Sequence, residues 1–283
     1  ASRGSKEVSF FPGQIKDLNF SVNIGTAGSI ALLIQQLLPV ALKAKARIRI
    51  GGGTNVGWSP PVEFMQYVLF PILKKMGAGF DVNVSKRGYY PKGKGVSTFS
   101  SRKAKFPLKP INLDNFKGVQ EVSIFSHSSD LPKYVSTGQA SAAKTLLRQK
   151  FPDVAFNESI DFKEQSDTIG SGITLIALDS NKNALSGSAL GRKGTPAETI
   201  GRDAAEKLCM QIAAGKAVDS FASDQLIPFM ALAKGRSTIY CAKLSKHCVT
   251  NIAVCEKLLS VKFDVKGAVG KPAEISVEGA AFT

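Results

Sequence analysis

Two stretches of the chain carry helix-like and strand-like segments in the same order, and this repetition constrains the fold more than any other feature. In the first stretch the segments are a helix at 28–44, a strand at 46–50, a helix at 59–77 and a strand at 79–88. In the second they are 219–235, 237–243, 249–259 and 261–267. Matching order and length predict an internal structural repeat.

Local signals define the helix predicted at 59–77. Ser59 is placed to cap it, prolines occupy its first turn and Gly77 closes it. Its apolar residues recur on one face: Val62, Met65, Val68, Leu69 and Ile72. Near the N-terminus, the alternating segment "EVSFF" (7–11) predicts a short strand.

The sequence between the two copies differs and predicts a smaller inserted α/β domain. It contains strand-like "VQEVSIF" and "GITLIALDS" and helix-like "STGQASAAKTLLRQKF". Thr195 and Glu198 form a capping-box pattern for a further helix that ends at Gly215. The basic, proline-containing segment 100–110 suits a linker. The expected division is a large domain at 1–112, the insert at 113–215 and the last repeat unit at 216–283.

Charge and cysteine content narrow the class of protein. The 37 Lys and Arg residues exceed the 22 Asp and Glu residues, giving a net charge of +15 that favours an anionic partner. The four cysteines form no CxxC pair and fit no common zinc spacing, which suits reduced thiols in an intracellular protein. The chain shows no signal peptide and no apolar stretch of membrane-spanning length, so we expect no membrane association.

Five segments in order resemble the RNA 3′-terminal phosphate cyclase family. They are "IGTAGSIALLIQQLLP", "GGTNVGWSPPVEF", "KRGYYPKGKG", "SALGRKGTPAETIGRDAAEKL", and "DQLIPFMALAKG" with "HCVTNIAVCEKLL". The resemblance implies an α/β fold of repeated units, each with two helices on a four-stranded sheet. It also implies ATP-dependent conversion of an RNA 3′-phosphate end to a 2′,3′-cyclic phosphate, with Mg²⁺ or Mn²⁺ assisting.

The resemblance assigns the chemistry to His247, which matches the family's adenylylated histidine in an H-x-x-T-N setting. It implies that His247 attacks the α-phosphorus of ATP and carries AMP covalently. Imidazole is a competent phosphorus nucleophile, and a position just before a helix offers backbone N–H donors to a phosphate. A polar capping histidine is the alternative interpretation. His127, the only other histidine, matches no motif and is expected to be structural or on the surface.

The expected nucleotide pocket combines residues from three segments. Phe221, Asp224 and Gln225 share one helix face at spacings i, i+3 and i+4, where a ring and polar groups can hold an adenosine. The alternative places Phe221 in the core and the other two in solvent. By resemblance, Pro60 packs against the other face of the adenine and Gln35 lines the pocket. Pro60 also serves helix initiation.

Basic residues in turn-like segments are candidates for RNA contact, interleaved in one segment with Tyr89 and Tyr90. They are Arg87, Lys92, Arg192 and Lys193, with Lys94 beside them. Cations next to rings suit RNA backbone and base contacts. A solvated basic face is the alternative.

The sequence departs from the family pattern in two respects. The sequence lacks the family's opening glycine-rich segment, with its metal-binding carboxylate and phosphate-binding arginines, and has Asn55 where aspartate is usual.

The main alternative function is that of a non-catalytic relative, acting as an RNA- and protein-binding scaffold in ribosome biogenesis. The expected location is the cytoplasm, or the nucleus in a eukaryote, and a homodimer is left open.

Overall fold

The computed structural model describes residues 4–14, 16, 18–162 and 166–283, which form a mixed α/β fold with three four-stranded sheets. The strands are β1 (Leu18–Asn23), β2 (Ala46–Gly52), β3 (Gly79–Lys86), β4 (Gly95–Arg102), β5 (Asn112–Leu113), β6 (Glu121–Ser129), β7 (Ala155–Asp161), β8 (Gly170–Leu178), β9 (Ala184–Leu190), β10 (Lys234–Cys241), β11 (Phe263–Gly267) and β12 (Ala273–Ala280).

The described helices lie between these strands along the chain. They are α1 (Ile30–Ala41), α2 (Val62–Phe64), α3 (Phe70–Lys75), α4 (Tyr134–Lys150), α5 (Ala197–Ala213), α6 (Ala222–Leu232) and α7 (Lys246–Leu259). A π-helical turn (Met65–Leu69) joins α2 to α3 without a break.

The internal repeat is present and has the order βαβαββ. The first sheet has the strand order β1-β2-β4-β3, and the second has the corresponding order β5-β10-β12-β11. In both, the first two strands are parallel and the remaining pairs are antiparallel. The two helices of each copy lie between corresponding strands. Repeated units of two helices on a four-stranded sheet are therefore confirmed.

Alternating side chains bury one face of each repeat sheet. In β2, Ala46, Ile48 and Ile50 are buried whereas Arg47 and Arg49 between them are exposed, as the period of a strand requires. The predicted apolar face of the second helix is also buried: Val62, Met65, Val68, Leu69 and Ile72. These residues join one hydrophobic cluster that extends through both repeat sheets and their helices.

The third sheet, with the order β7-β6-β8-β9, is covered by α4 and α5 and has its own hydrophobic cluster. The structure thus contains the predicted smaller α/β unit between β5 and α6. Its exact limits, and the division at 113–215, stay a prediction. None of the helices in the described part of the chain has the length and apolar character needed to span a bilayer.

Several local predictions were wrong. Segment 7–11 is exposed and forms no strand, because its residues alternate correctly but find no partner strand among the described residues. Ser59 donates its hydroxyl to the Val56 carbonyl at 3.1 Å instead of capping a helix, and α2 starts three residues later. No side chain caps α5, so the capping box of Thr195 is absent. The predicted linker overlaps the end of β4.

The close packing of α4 on α5 predicts effects of different size for alanine substitution at two helical glycines. A Cβ on Gly201 would lie 2.1 Å from the Gln139 carbonyl oxygen, whereas a Cβ on Gly138 would mainly meet the flexible Glu198 carboxylate at 3.1 Å and the Ala197 Cβ at 3.3 Å. Alanine in a helix is otherwise favoured over glycine by about 1 kcal/mol.

Gly201→Ala should therefore lower the free energy of unfolding by about 2 kcal/mol through overpacking. Gly138→Ala, the matched control, should change it by less than about 1 kcal/mol. Urea denaturation measures both. Equal effects of the two substitutions would contradict the close approach.

Candidate active site

The N-terminal turn of α7 exposes His247 to solvent. Ser245 caps this helix by accepting a hydrogen bond from the backbone N–H of Cys248 at 2.9 Å. His247 is the second helical residue, in the helix that follows the end of β10 after a short loop. A helix N-terminus attracts anions because its first N–H groups lack partners within the helix. The imidazole therefore lies where a phosphate is favoured.

A side-chain hydrogen bond fixes α6 against α7. The Asn251 side chain in α7 donates to the backbone carbonyl of Asp224 in α6 at 2.8 Å. Asp224 lies in the first turn of α6, and Phe221 occupies the N-cap position and is 61% exposed. The start of α6 is held in turn by Asp219, whose carboxylate accepts from the Phe221 N–H at 2.8 Å and the Ser186 hydroxyl at 2.7 Å. The first turn of α6 is thus tied to the second turn of α7, the helix that carries His247.

The Asp224 carboxyl is electrostatically linked to His247. Burial raises the pKa of Asp224 to about 6, and the proximity of His247 opposes that rise. A carboxyl with this pKa is largely ionised at neutral pH. It can therefore stabilise positive charge that develops on the imidazole.

Gln225 leaves one buried acceptor available. Its side-chain N–H₂ donates to the Phe221 carbonyl at 3.1 Å, and its residue is only 6% exposed. Within the described residues, its Oε1 receives no hydrogen bond. A buried acceptor without a donor is costly, so a ligand hydroxyl or amino group bound beside it would be stabilised. This fits a nucleotide beside the exposed Phe221 ring.

Pro60 and Gln35 come from the first repeat. Pro60 is half-buried in the loop leading to α2, four residues before Phe64, whose ring meets the Phe221 ring edge-on at 6.4 Å. Gln35 is half-buried in the middle of α1, and α1 contacts α6. The predicted pocket residues thus come from elements that pack around α6. Their roles stay a prediction.

The predicted RNA contacts divide into two groups. Lys92, Arg192 and Lys193 are exposed, and Arg192 pairs with Asp203 at 2.7 Å. Arg87, in contrast, has a side chain only 13% exposed and pairs with the buried Glu63 at 2.6 Å. The structure therefore gives Arg87 a role inside the protein, which differs from the exposed position expected of an RNA contact.

A buried polar network surrounds Arg87 and was not anticipated. Arg87 also donates to the Asn55 side chain at 3.0 Å, and Tyr89 hydrogen-bonds the buried His127 at 2.7 Å. Burial, the largest single effect, would raise the pKa of Glu63, but the charge and hydrogen bond of Arg87, together with His127 and a backbone hydrogen bond, lower it to about 2. Burial and Arg87 lower the pKa of His127 to about 3. His127 is therefore neutral and structural, as expected.

In the described part of the chain, neither a metal-binding cluster nor the larger cleft coincides with the predicted site residues. The described ranges contain no group of three or more His, Cys, Asp or Glu side chains able to hold a metal ion. A cleft of about 390 Å³ between the second and third sheets is lined by residues such as Asn112, Asn115 and Asn183, and by none of the predicted site residues.

Comparison with known proteins identifies close similarity to one family. A family model described as RNA 3′-terminal phosphate cyclase matches residues 1–265. The RNA 3′-terminal phosphate cyclase of Pyrococcus furiosus is 38% identical over 98% of this chain and 80% of its own length. That of Methanosarcina barkeri is 39% identical over 94% of this chain and 77% of its own length.

The shifted Asp224 carboxyl predicts a specific pH dependence. We expect its pKa to be about 6 by NMR titration of the side-chain carboxyl, and to rise further in His247→Ala because a group that lowers it is removed. Since the folded protein holds a proton that the unfolded chain releases, the free energy of unfolding should fall as pH rises from the ordinary value of 3.8 to about 6. Asp224→Asn should remove that component. A carboxyl that titrates near 3.8 would contradict the burial.

The Glu63–Arg87 pair predicts a large loss of stability when one partner is neutralised. Glu63→Gln should lower the free energy of unfolding by about 3 kcal/mol, because Arg87 keeps its buried charge without the carboxylate. As a control, Lys262→Ala, which breaks the exposed pair with Glu256, should cost less than about 1 kcal/mol. Chemical denaturation at pH 7 measures both, and similar costs would refute this interpretation.

Proposed function

This chain belongs to the RNA 3′-terminal phosphate cyclase family, and from that premise we propose that it converts RNA 3′-phosphate ends to 2′,3′-cyclic phosphates using ATP. The observation that carries the proposal is that Asp224, whose carboxyl interacts electrostatically with His247, lies in the first turn of α6, which begins at the exposed Phe221. This supports a nucleophile and a carboxylate acting together beside the N-terminal turn of α7, which favours phosphate.

The first proposed step forms a covalent protein–AMP bond. An imidazole nitrogen of His247 attacks the α-phosphorus of ATP, the P–N bond forms and the bond to pyrophosphate breaks. The ring gains positive charge in this step, and the ionised Asp224 nearby stabilises it. Backbone N–H groups in the first turn of α7 favour the negative charge on the phosphate oxygens.

The second and third steps use the bound AMP. An oxygen of the RNA 3′-phosphate attacks the phosphorus of the His247–AMP bond, which frees the imidazole and leaves AMP on the RNA end. The adjacent 2′-hydroxyl then attacks the 3′-phosphorus, closing the cyclic phosphate and releasing AMP with loss of the hydroxyl proton. The net change is the cleavage of ATP to AMP and pyrophosphate for each ring closed.

The adenosine would lie against the Phe221 ring. We assign Pro60 to the opposite face of the base, Gln225 to a hydrogen bond through its unpaired Oε1, and Gln35 to the pocket wall. Pyrophosphate is a strongly charged leaving group, so Mg²⁺ or Mn²⁺ bound to it assists its departure. Since the described side chains form no metal cage, we assign that ion no protein ligands. RNA and ATP meet in the cytoplasm, or in the nucleus of a eukaryote, where we place the reaction.

Incubation with α-labelled ATP and Mg²⁺ tests the first step. We expect acid-labile, alkali-stable label on the protein, because a phosphoramidate has that stability, and at least a 100-fold loss of label in His247→Ala. Phe221→Ala should weaken labelling at low ATP more than at saturating ATP, since it removes ring contact with the base.

The matched control is His127→Gln, which replaces the only other histidine and should keep the label if circular dichroism shows a folded protein. Unchanged labelling in His247→Ala would refute the mechanism. If the wild-type protein takes up no label, the non-catalytic scaffold interpretation is favoured instead.

A further inference from the structure

Trp58 is the most unusual exposed residue of the structure. It is fully exposed to solvent and has a left-handed backbone with φ of 64°, a region that bulky residues seldom adopt. A single exposed aromatic residue is ordinary, but a strained backbone is retained only where surrounding structure enforces it, and such strain is concentrated at functional sites.

The loop that carries Trp58 is firmly anchored on both sides. Val56 is buried, and its carbonyl accepts the Ser59 hydroxyl at 3.1 Å, which closes a turn around Trp58. Asn55 forms a bridge with Tyr89 and accepts from Arg87 at 3.0 Å. The turn therefore presents the indole to solvent on a rigid base. Trp58 is also two residues from Pro60, at the edge of the proposed adenylate pocket.

Two basic loops adjoin this turn. The segment 87–94 runs beside it through the Asn55–Tyr89 bridge and carries Lys92, Lys94 and Tyr90, which is 78% exposed. The end of β9 shares a cavity of about 30 Å³ with the Trp58 loop and leads directly to Arg192 and Lys193. Two described carboxylates lie near these cations: Asp203 pairs with Arg192 at 2.7 Å, and Asp167, which pairs with Lys86 at 2.7 Å, lies near Lys94.

We propose that Trp58, Tyr90 and these basic residues form a binding surface for the single-stranded 3′ end of the RNA, with the indole stacking on a base. This inference rests on the proposed function for the identity of the RNA. Exposed rings flanked by cations bind single strands because every base offers a face for stacking and every phosphate a charge. Trp58 is two residues from Pro60, and the Phe64 ring meets the Phe221 ring, so the surface adjoins the proposed adenylate pocket.

The chain contains one tryptophan, so its fluorescence reports on Trp58 alone. We expect a single-stranded oligoribonucleotide of about ten nucleotides with a 3′-phosphate to quench that emission on binding. Anisotropy of a 5′-labelled copy gives the affinity independently. Trp58→Ala should weaken binding about tenfold, whereas Trp58→Phe, which keeps a ring, should stay within about threefold of wild type.

Two further variants separate binding from folding and from net charge. Trp58→Gly suits the left-handed backbone, so its denaturation midpoint should not fall although it loses RNA affinity. Neutralising Lys92, Lys94 and Lys193 with glutamine should make the slope of log K against log salt less negative by about 2, because each released counterion contributes about −0.7 to it. The control Lys150→Gln, exposed at the C-terminal end of α4 and close to Cys209 near the end of α5 that is far from Arg192, should leave the slope unchanged.

The titrations contain no ATP, so their result does not depend on whether His247 accepts AMP. If saturating RNA leaves the emission unchanged, or if Trp58→Gly binds RNA as tightly as wild type, this surface is refuted while the labelling test still decides the proposed function. Equal quenching by a blunt RNA duplex would also overturn it, because paired bases cannot stack on the indole.

Discussion

The contact of α6 with the helices of the first repeat determines where the rest of the molecule lies. Apolar side chains from both copies merge into one cluster, so neither copy's sheet has a core of its own. Burial of apolar surface, the main favourable term in folding, thus depends on both copies being present. The same packing brings Phe64 against Phe221 and so connects the Pro60 loop with the helix that carries Asp224.

A buried charge pair organises the adjoining loops in a different way. Glu63 and Arg87 satisfy each other and hold Asn55, while Tyr89 and His127 extend the polar contacts toward the third sheet. Such a pair contributes little to stability compared with apolar residues, but it fixes the register of the elements that make it. The loops at the edge of the first sheet are therefore held in one arrangement.

The sequence allowed the helices to be predicted better than the strands. The apolar face of the second helix was clear from its period, whereas β4, "GVSTFSSR", is rich in small polar residues and was taken partly for a linker. Strand formation depends on cross-strand partners that a linear sequence does not show. For this reason segment 7–11 alternates like a strand but forms none among the described residues, while β1, β4, β5, β7, β9 and β12 were not predicted.

The candidate site was predictable only as far as the motifs extended. His247, Phe221 and Asp224 were identified by resemblance, but Asn251, which ties α7 to Asp224, was not singled out although it lies in the same H-x-x-T-N motif. Arg87 was grouped with exposed cations because its neighbours are basic. Its partner Glu63 lies 24 positions away. The sequence signal for this pairing is that Glu63 is a charged residue in the otherwise apolar start of a helix. Long-range pairing of this kind requires the fold.

The position of β5 determines the order in which the sheets can form during synthesis. This strand of two residues pairs with β10, and the backbone N–H of Ile111 beside it meets the Ser237 side chain 126 positions later. On the ribosome, the first sheet can close as soon as β4 emerges, but the second must wait until the whole third sheet has been synthesised. Throughout that interval the nascent chain carries an unpaired strand beside an apolar surface whose cover has not yet been translated.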